Sequence, residues 1–160
     1  SVSFPRRRSR VRIPSPAPTY MCPFCNIDKE KNRIIKSGKH VWVIMSNPRL
    51  VEGHLLVVPK RHVEKLSELN SDEKDELINT TIQFQELILK KYASGCDIRQ
   101  NCRPFQKESK LKVNHLHVHL QPRELFDDLY EVSQIYEKEL FKDLSDKEIK
   151  KFTKLFSNTK

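Results

Sequence analysis

Three histidines alternate with apolar residues in the last third of the chain, at His115, His117 and His119 of the segment HLHVHLQP (residues 115–122). A period of two, with aliphatic and β-branched residues between the histidines, predicts a strand. In a strand the three imidazoles share one face, so the other face can be buried while the imidazoles meet a ligand. Pro122 cannot donate a backbone hydrogen bond, so we expect it to end the pairing of this strand.

The spacing of the histidines argues against a single metal ion held by all three. His115 and His119 are four residues apart, which is roughly 13 Å along a strand at about 3.3 Å per residue. A zinc–nitrogen bond is only about 2.0–2.1 Å long, so one ion can take two of the three at most. Neutral imidazole is a nucleophile and imidazolium pairs with negative charge, so this face suits the binding and attack of a phosphate group. A strand that is merely rich in histidine is the simpler alternative.

Two further motifs precede the triad. Residues 51–62 read VEGHLLVVPKRH, in which Gly53-His54 leads into an apolar run that ends at Pro59, and residues 21–25 read MCPFC. In this order, the three motifs resemble the histidine-triad (HIT) family of nucleotide hydrolases and transferases, in the branch with an N-terminal CxxC pair. The family signature is His-x-His-x-His with apolar x positions, followed by two apolar or small residues. The resemblance covers residues 21–123.

The resemblance implies roles for individual residues. His117 and His119 are the expected catalytic residues: His117 matches the nucleophile that attacks the α-phosphorus of a nucleotide and forms a nucleotidyl-histidine intermediate. His119 matches a group that donates to the phosphate oxygens or to the leaving group. His54 is expected to line the phosphate pocket, and its alternative is a strand-end histidine bonded to a backbone carbonyl. Asn47, or the residue before it, stands near the position that binds the ribose hydroxyls, although a plain turn role is equally consistent with its sequence.

One segment departs from the family pattern. The family often has Gly-Gln-Ser or Gly-Gln-Thr just ahead of the triad, whereas residues 110–114 here read KLKVN. Lys112 takes the hydroxyl position and is expected to bind phosphate as a point charge, with a solvated lysine as the alternative. Asn101 is expected to supply another substrate contact. Arg103 would bind phosphate through two parallel hydrogen bonds, or it would be an exposed charge in a loop.

The paired cysteines indicate a second kind of site. Cys22 and Cys25 have the two-residue spacing of half a zinc site. The resemblance implies that His62 and His115 complete a Cys2His2 site, as in several branches of the family. Such a site uses all four coordination positions, so the zinc would be structural and would contribute folding energy directly. Buried small thiols or a redox pair are the alternatives. No organic cofactor is expected.

The elements that must carry these residues follow from hydrophobic patterning and turn signals. The predicted strands are, in order, residues 33–36, 40–45, 54–59, 97–102 and 115–121. Asn70 or Ser71 is predicted to cap a long helix that ends at Gly95. Helical spacing over residues 125–140 and a capping box at residues 145–148 predict C-terminal helices. The fold class is therefore predicted to be α+β, with a mostly antiparallel sheet of about five strands, one long helix and C-terminal helices.

Composition limits the size of the fold and the class of partner. A chain of 160 residues that is 37% hydrophobic can close one core, and it has no apolar run near the 18 or so residues that span a bilayer. The net charge of +9 is concentrated in residues 1–20, which hold five arginines and no acid, so the remainder has 25 basic against 21 acidic residues. A mildly basic body suits a nucleotide or dinucleotide, and neither nucleic acid nor a membrane is an expected partner.

Three regions are expected along the chain. Residues 1–20 form a disordered Arg/Pro-rich tail, which would be a targeting sequence, a basic arm, or non-native sequence upstream of a start at Met21. Residues 21–123 form the HIT-like domain, and residues 124–160 form a helical extension of it. The four cysteines without a secretory signal favour a reducing compartment, and we expect the cytoplasm.

The predicted function is that of a nucleotide-phosphate hydrolase or nucleotidyltransferase acting on a nucleoside phosphoramidate or a dinucleoside polyphosphate. The alternative is a non-catalytic nucleotide-binding, zinc-stabilised interaction module, which the altered segment at residues 110–112 favours. A third hypothesis is a nucleic-acid end-processing enzyme like those of the family's DNA-repair branch. That branch usually adds a zinc finger after the triad, whereas residues 123–160 contain no Cys or His. The resemblance also implies a homodimer.

Overall fold

The computed structural model of the chain describes residues 22–27, 33–109 and 111–157. The strands are β1 Ile34–Ser37, β2 Val41–Met45, β3 Leu55–Pro59, β4 Gly95–Gln100 and β5 Val118–Arg123. The α-helices are α1 Ser71–Lys91, α2 Asp128–Val132 and α3 Asp146–Phe156. Short turns of other helix types occur at Leu66–Glu68, Ser133–Glu137 and Lys138–Leu140. The predicted tail at residues 1–20 lies outside the described residues.

The five strands form one antiparallel sheet in the order β1-β2-β3-β5-β4. Helix α1 packs on one face, where Leu77 and Ile88 join Val57 and Leu120 in the larger core cluster. The opposite face carries a smaller cluster that includes Phe24, together with Ile44, Leu56 and Val58. Because successive side chains of a strand point to opposite faces, His119 lies on this second face, between the buried Val118 and Leu120. The α+β prediction, with its five-stranded sheet and one long helix, is confirmed.

Helix α1 begins where its local sequence predicts. Asn70 accepts a hydrogen bond from the backbone N–H of Glu73, and the Glu73 carboxylate accepts one from the backbone N–H of Asn70. This reciprocal capping box satisfies two N–H groups that a helix end otherwise leaves without partners. The helix ends at Lys91, and Gly95, which was predicted to end it, instead opens β4.

The triad strand begins later and ends later than predicted. His115 and His117 precede β5, because their neighbourhood is bonded to loop atoms: the Leu116 N–H donates to the Val63 carbonyl at 2.6 Å. The prediction that Pro122 ends the pairing is wrong, since Pro122 pairs with Cys96 of β4. The ladder between β3 and β5 stops at Leu120, so at Pro122 the strand has a neighbour on one side only and a missing N–H is tolerated there.

The C-terminal helices are confirmed as elements. Helix α3 starts at a second capping box, in which the Ser145 hydroxyl accepts from the Glu148 N–H and the Glu148 carboxylate accepts from the Ser145 N–H. Helix α2 is capped by the Asp127 carboxylate, which accepts from the Tyr130 N–H at 2.7 Å. Among the described residues, no helix is both long and apolar enough to cross a membrane.

Candidate functional site

One row of side chains crosses the second face of the sheet. Strand register aligns Ile44 of β2 with Leu56 of β3, Leu56 with His119 of β5, and His119 with Arg99 of β4. The row therefore changes from aliphatic groups to an imidazole and then to a guanidinium. A cleft of about 670 Å³ lies over this face, and Leu56, His119 and Arg99 are among its lining residues. The floor of the cleft is therefore apolar at Leu56 of β3 and cationic at Arg99 of β4.

His117 presents an unprotonated nitrogen to this cleft. Its Nδ1 lies 2.6 Å from the carbonyl oxygen of His115, and a carbonyl can only accept, so Nδ1 carries the proton. In the neutral imidazole Nε2 is then left with its lone pair. The Phe24 ring meets the His117 ring edge-on, with centroids 5.2 Å apart. A backbone carbonyl and an aromatic ring thus fix both the tautomer and the orientation of the His117 imidazole.

His54 and His119 form a pair whose protons are also fixed by the backbone. The Leu50 N–H donates to Nδ1 of His54 at 3.1 Å, and Nε2 of His54 lies 2.9 Å from Nδ1 of His119. Because His54 Nδ1 accepts, the His54 proton is on Nε2 and is donated to His119. His119 then carries its own proton on Nε2, where it can donate a hydrogen bond to a ligand.

The residue before His54 explains the Gly-His motif. Gly53 has a φ of 73°, in the left-handed region that glycine adopts without steric penalty. A Cβ at this position would also lie 2.7 Å from the Tyr92 ring and 3.1 Å from Pro122. Glycine is therefore needed for the chain to turn into β3 with His54 buried beside His119.

Burial keeps the cleft histidines neutral near pH 7. Desolvation, with a smaller contribution from nearby His117, lowers the pKa of His119 to about 3 and that of His54 to about 4. The Arg99 guanidinium also lowers the pKa of His119. Burial lowers the pKa of His117 too, although the His115 carbonyl opposes this shift. Charged forms are disfavoured because the surroundings solvate them poorly.

Of the four predicted substrate-binding residues, three line the cleft and Lys112 does not. His54, Asn47 and Asn101 line the cleft, and Nδ2 of Asn101 is 3.4 Å from Nε2 of His119. Both atoms carry protons, so they do not bond to each other but can donate to one shared acceptor. Lys112 does not line the cleft: its ammonium donates to the Asn114 side chain, yet it is close enough for its charge to lower the pKa of His117. Arg103, from the same loop as Asn101, is a lining residue and is exposed.

Sequence reasoning missed several residues of the cleft. Arg99 and Arg49 bring positive charge into it, and Phe24 and Gln121 help to line it. Only Gln121 carried a usable signal, because two-residue alternation places it on the face of His119. Gln121 is 3% exposed, and its Oε1 has no hydrogen-bond partner among the described residues.

The predicted metal ligands converge on one cluster next to this cleft. Cys22, Cys25, His62 and His115 each offer a ligand atom, and these atoms all lie within 4.8 Å of one another. The Cys22 and Cys25 sulfurs are 3.4 and 3.6 Å from Nδ1 of His115, and the Cys25 sulfur is 3.3 Å from Nδ1 of His62. Residues from three distant parts of the sequence therefore meet at one point.

The donor set of this cluster fits zinc. In a tetrahedral site with ordinary zinc bonds, a sulfur and a nitrogen ligand stand about 3.5 Å apart, close to the distances between these atoms. Nε2 of His115 lies 2.9 Å from the Pro59 carbonyl and so carries the proton, which leaves the Nδ1 lone pair facing the sulfurs. Burial lowers the pKa of His115 to about 4, so this nitrogen is unprotonated near pH 7.

Comparison with known proteins gives one consistent family match. The family model described as the HIT domain matches residues 26–125. An uncharacterized HIT-like protein of Methanocaldococcus jannaschii is 33% identical over 106 residues, which are 64% of this chain and 79% of that protein. AP-4-A phosphorylase of Mycobacterium tuberculosis is 28% identical over 115 residues, which are 70% of this chain and 58% of the phosphorylase.

A solved structure shares the fold. The zinc-bound histidine triad family protein of Mycobacterium smegmatis superimposes with a TM-score of 0.56 and 24% identity, over 68% of this chain and 78% of that protein. At this identity the likeness shows the shared fold alone.

Proposed function

Because the chain belongs to the HIT domain family, we propose that it is a nucleotide hydrolase or nucleotidyltransferase that forms a nucleotidyl intermediate on His117. The substrate class is a nucleoside phosphoramidate or a dinucleoside polyphosphate. One observation carries the proposal: the hydrogen bond from His117 Nδ1 to the His115 carbonyl leaves a nucleophilic nitrogen pointing into a cleft. The likeness to AP-4-A phosphorylase, of which the match covers 58%, supports a dinucleoside polyphosphate as the substrate.

In the first step, the Nε2 lone pair of His117 attacks the α-phosphorus of the substrate. A P–N bond forms while the bond from phosphorus to the leaving group breaks, and the electron pair of that bond departs with the leaving group. The phosphate of a polyphosphate leaves as an anion, whereas the amine of a phosphoramidate takes up a proton from solvent as it leaves. The imidazole becomes positively charged, and its Nδ1–H donates to the His115 carbonyl at 2.6 Å, which stabilises that charge. The Nε2–H of His119 donates to the phosphoryl oxygens, where negative charge accumulates.

In the second step, water or another acceptor attacks the same phosphorus. A P–O bond forms, the P–N bond breaks, and its electron pair returns to His117 Nε2, while the attacking water loses its proton to solvent. If inorganic phosphate attacks instead, the product is a nucleoside diphosphate. The same nitrogen is thus restored for the next cycle.

The remaining lining residues would position the substrate. His54 holds the tautomer of His119 through the 2.9 Å hydrogen bond, so it acts as a positioning residue. Asn101, with its amide 3.4 Å from His119, would bind a phosphate oxygen, and Asn47 would bind the ribose hydroxyls. Lys112 would contribute electrostatic attraction from the rim.

Cys22, Cys25, His62 and His115 would hold a structural zinc ion. Zinc bound by four protein ligands has no open position for water, so it supplies folding energy and not chemistry. The proposal is supported by the match of the sulfur–nitrogen distances and by a fold relative that is zinc-bound. The thiolate ligands require a reducing compartment, which supports the cytoplasm.

The test is the mass of the intact protein after brief incubation with adenosine 5′-phosphoramidate and, separately, with diadenosine tetraphosphate. We expect an adenylyl adduct on the wild type, or release of a mononucleotide, with at least one of the two substrates. His117→Ala should abolish both signals, because it removes the attacking nitrogen.

The control is His40→Ala, since the ring of His40 is not among the residues that line the cleft. This variant should retain the adduct. Turnover that persists in His117→Ala would contradict the proposal. Nucleotide binding without adduct or product in the wild type would favour the non-catalytic binding module.

A further inference from the structure

The register of the sheet orders the cleft from its apolar side to its cationic side. Ile44 and Leu56 occupy β2 and β3, His119 occupies β5, and Arg99 occupies β4 in the same row. Ile44 is fully buried below the cleft, whose apolar lining includes Leu56, Leu50 and Phe24. An apolar lining suits a nucleoside base, and the imidazoles mark the phosphorus that is attacked. The group on the far side of that phosphorus then extends over β4, toward Arg99.

Arg99 is a free cation in this position. No hydrogen bond or ion pair joins its guanidinium to an acid among the described residues, and none of the described residues that line the cleft is Asp or Glu. Asp97, two residues away on the same face of β4, bonds to Arg123, which also pairs with Asp127; Asp97 is therefore held by Arg123 and is not a partner of Arg99. Arg103 and Arg49 also line the cleft, which concentrates positive charge at this site.

The protonation states of the cleft histidines also favour a phosphate leaving group over an amine. An amine leaves phosphorus only after its nitrogen gains a proton, whereas a phosphate leaves as an anion without one. His119 and His54 are neutral near pH 7, since burial lowers their pKa values to about 3 and about 4. They donate hydrogen bonds well but are poor sources of a transferred proton. An anionic leaving group requires hydrogen-bond donors but no transferred proton, and the neutral imidazoles meet that requirement.

We infer that Arg99 is a specificity-determining residue, which binds the phosphate of an anionic leaving group and selects substrates whose α-phosphorus is joined to a further phosphate. This inference rests on the proposed function and narrows its substrate class. In the first step the bond from the α-phosphorus to the bridging oxygen breaks. Its electron pair stays on that oxygen, and the new charge is spread over the leaving phosphate beside the Arg99 guanidinium.

The experiment compares two substrates that share the adenosine 5′-phosphoryl group but differ in leaving group: diadenosine tetraphosphate and adenosine 5′-phosphoramidate. Arg99→Gln should lower kcat/KM for the tetraphosphate by at least about tenfold, the effect of losing one charge-assisted hydrogen bond. For the phosphoramidate, the loss should stay under about twofold, since its leaving group has no phosphate to bind.

Lys74→Gln is the matched control, because it removes one positive charge from α1, on the opposite face of the sheet. It should leave kcat/KM for both substrates at the wild-type value. Equal losses on the two substrates in Arg99→Gln would overturn the inference, since they would mean that Arg99 serves the shared adenosine half. An unchanged kcat/KM for the tetraphosphate would overturn it too.

A binding measurement separates this inference from the proposed function. Calorimetry with AMP and with a methylene-bridged diadenosine tetraphosphate analogue requires no turnover. Arg99→Gln should weaken binding of the analogue by about tenfold and leave AMP binding unchanged. If the wild type turns over neither substrate, the proposed function fails, and the binding comparison still decides the role of Arg99.

Discussion

The imidazole protons in the cleft are placed by backbone groups. The His115 carbonyl accepts from His117 Nδ1, and the Leu50 N–H donates to His54 Nδ1. Side-chain substitutions cannot remove these partners, so the tautomers of His117 and His54 follow from the path of the chain alone. His119 differs, because the partner of its Nδ1 is the His54 side chain. The orientation of His119 is therefore the one that a substitution at His54 would disturb.

Gln121 is a buried polar group whose unmet hydrogen bond faces the same cleft. Its Oε1 lacks a partner among the described residues although the side chain is 3% exposed. Burying such an oxygen costs about 1–3 kcal/mol, so we expect Gln121→Leu to raise the melting temperature by a few degrees. We also expect kcat/KM to fall severalfold, because the amide is retained for contact with the substrate. Calorimetric melting and steady-state kinetics measure the two effects.

Gln85→Leu provides the comparison for this prediction. The Gln85 amide donates to the Cys96 carbonyl at 3.5 Å, so the same substitution removes a hydrogen bond there and should not stabilise the protein. A Gln121→Leu variant that is both less stable and fully active would contradict the prediction, since the glutamine would then be an ordinary packing residue.

The sequence located residues whose roles follow from short-range spacing and missed those that depend on strand register. The Cys22/Cys25 pair and the triad are recognisable within a few residues. Arg99 faces His119 only because β4 and β5 pair in one register. A long loop separates those strands, so neither local propensity nor alternation fixes that register. Gln121 could have been found, because it follows His119 by two positions.

At the scale of elements, capped helix starts were predictable and strand limits were not. A capping box such as Asn70 with Glu73 is satisfied within four residues, so its energy is local. The limits of β5 depend on its neighbours: β3 pairs with it only from Val118 to Leu120, whereas β4 pairs with it as far as Arg123. Strand ends are properties of the pair, which one segment does not encode.

The N-terminal segment is held to the sheet by the Cys/His cluster. Cys22 and Cys25 reach His115, whose carbonyl in turn holds His117. The binding of a structural zinc ion stabilises the folded state, and the loss of one ligand removes part of that stabilisation. We therefore expect Cys22→Ser to lose bound zinc and to melt about 5–10 °C lower. Activity at low temperature should fall less, because His117 keeps its own hydrogen bond. Elemental analysis, thermal melting and kinetics measure these quantities.

Cys102→Ser is the matched substitution outside the cluster. Cys102 is exposed and is not among the four clustered residues, so zinc content and melting temperature should match the wild type. If Cys22→Ser retained both, the proposed zinc site would be wrong.

At the scale of the whole molecule, the sheet has two edges, and only the β4 edge is next to the cationic side of the cleft. Strand β1 forms one edge and β4 the other. Edge strands present unpaired backbone groups that favour pairing with another chain. Ile98 of β4 is 44% exposed, and Ile78 and Ile82 of α1 are also exposed. Apolar groups next to an unpaired edge are typical of a surface that a second copy covers.

We therefore expect the protein to form a homodimer through β4, with a mass in sedimentation near twice the 18.9 kDa of the chain. Ile98→Asp should shift the equilibrium toward monomer, because a buried charge without a partner opposes association across a two-fold interface. Ile35→Asp is the control, since Ile35 lies in the opposite edge strand and is 48% exposed. Sedimentation velocity over a range of concentrations distinguishes the two variants. If Ile35→Asp dissociated the dimer and Ile98→Asp did not, the interface would lie at β1 and the prediction would be wrong.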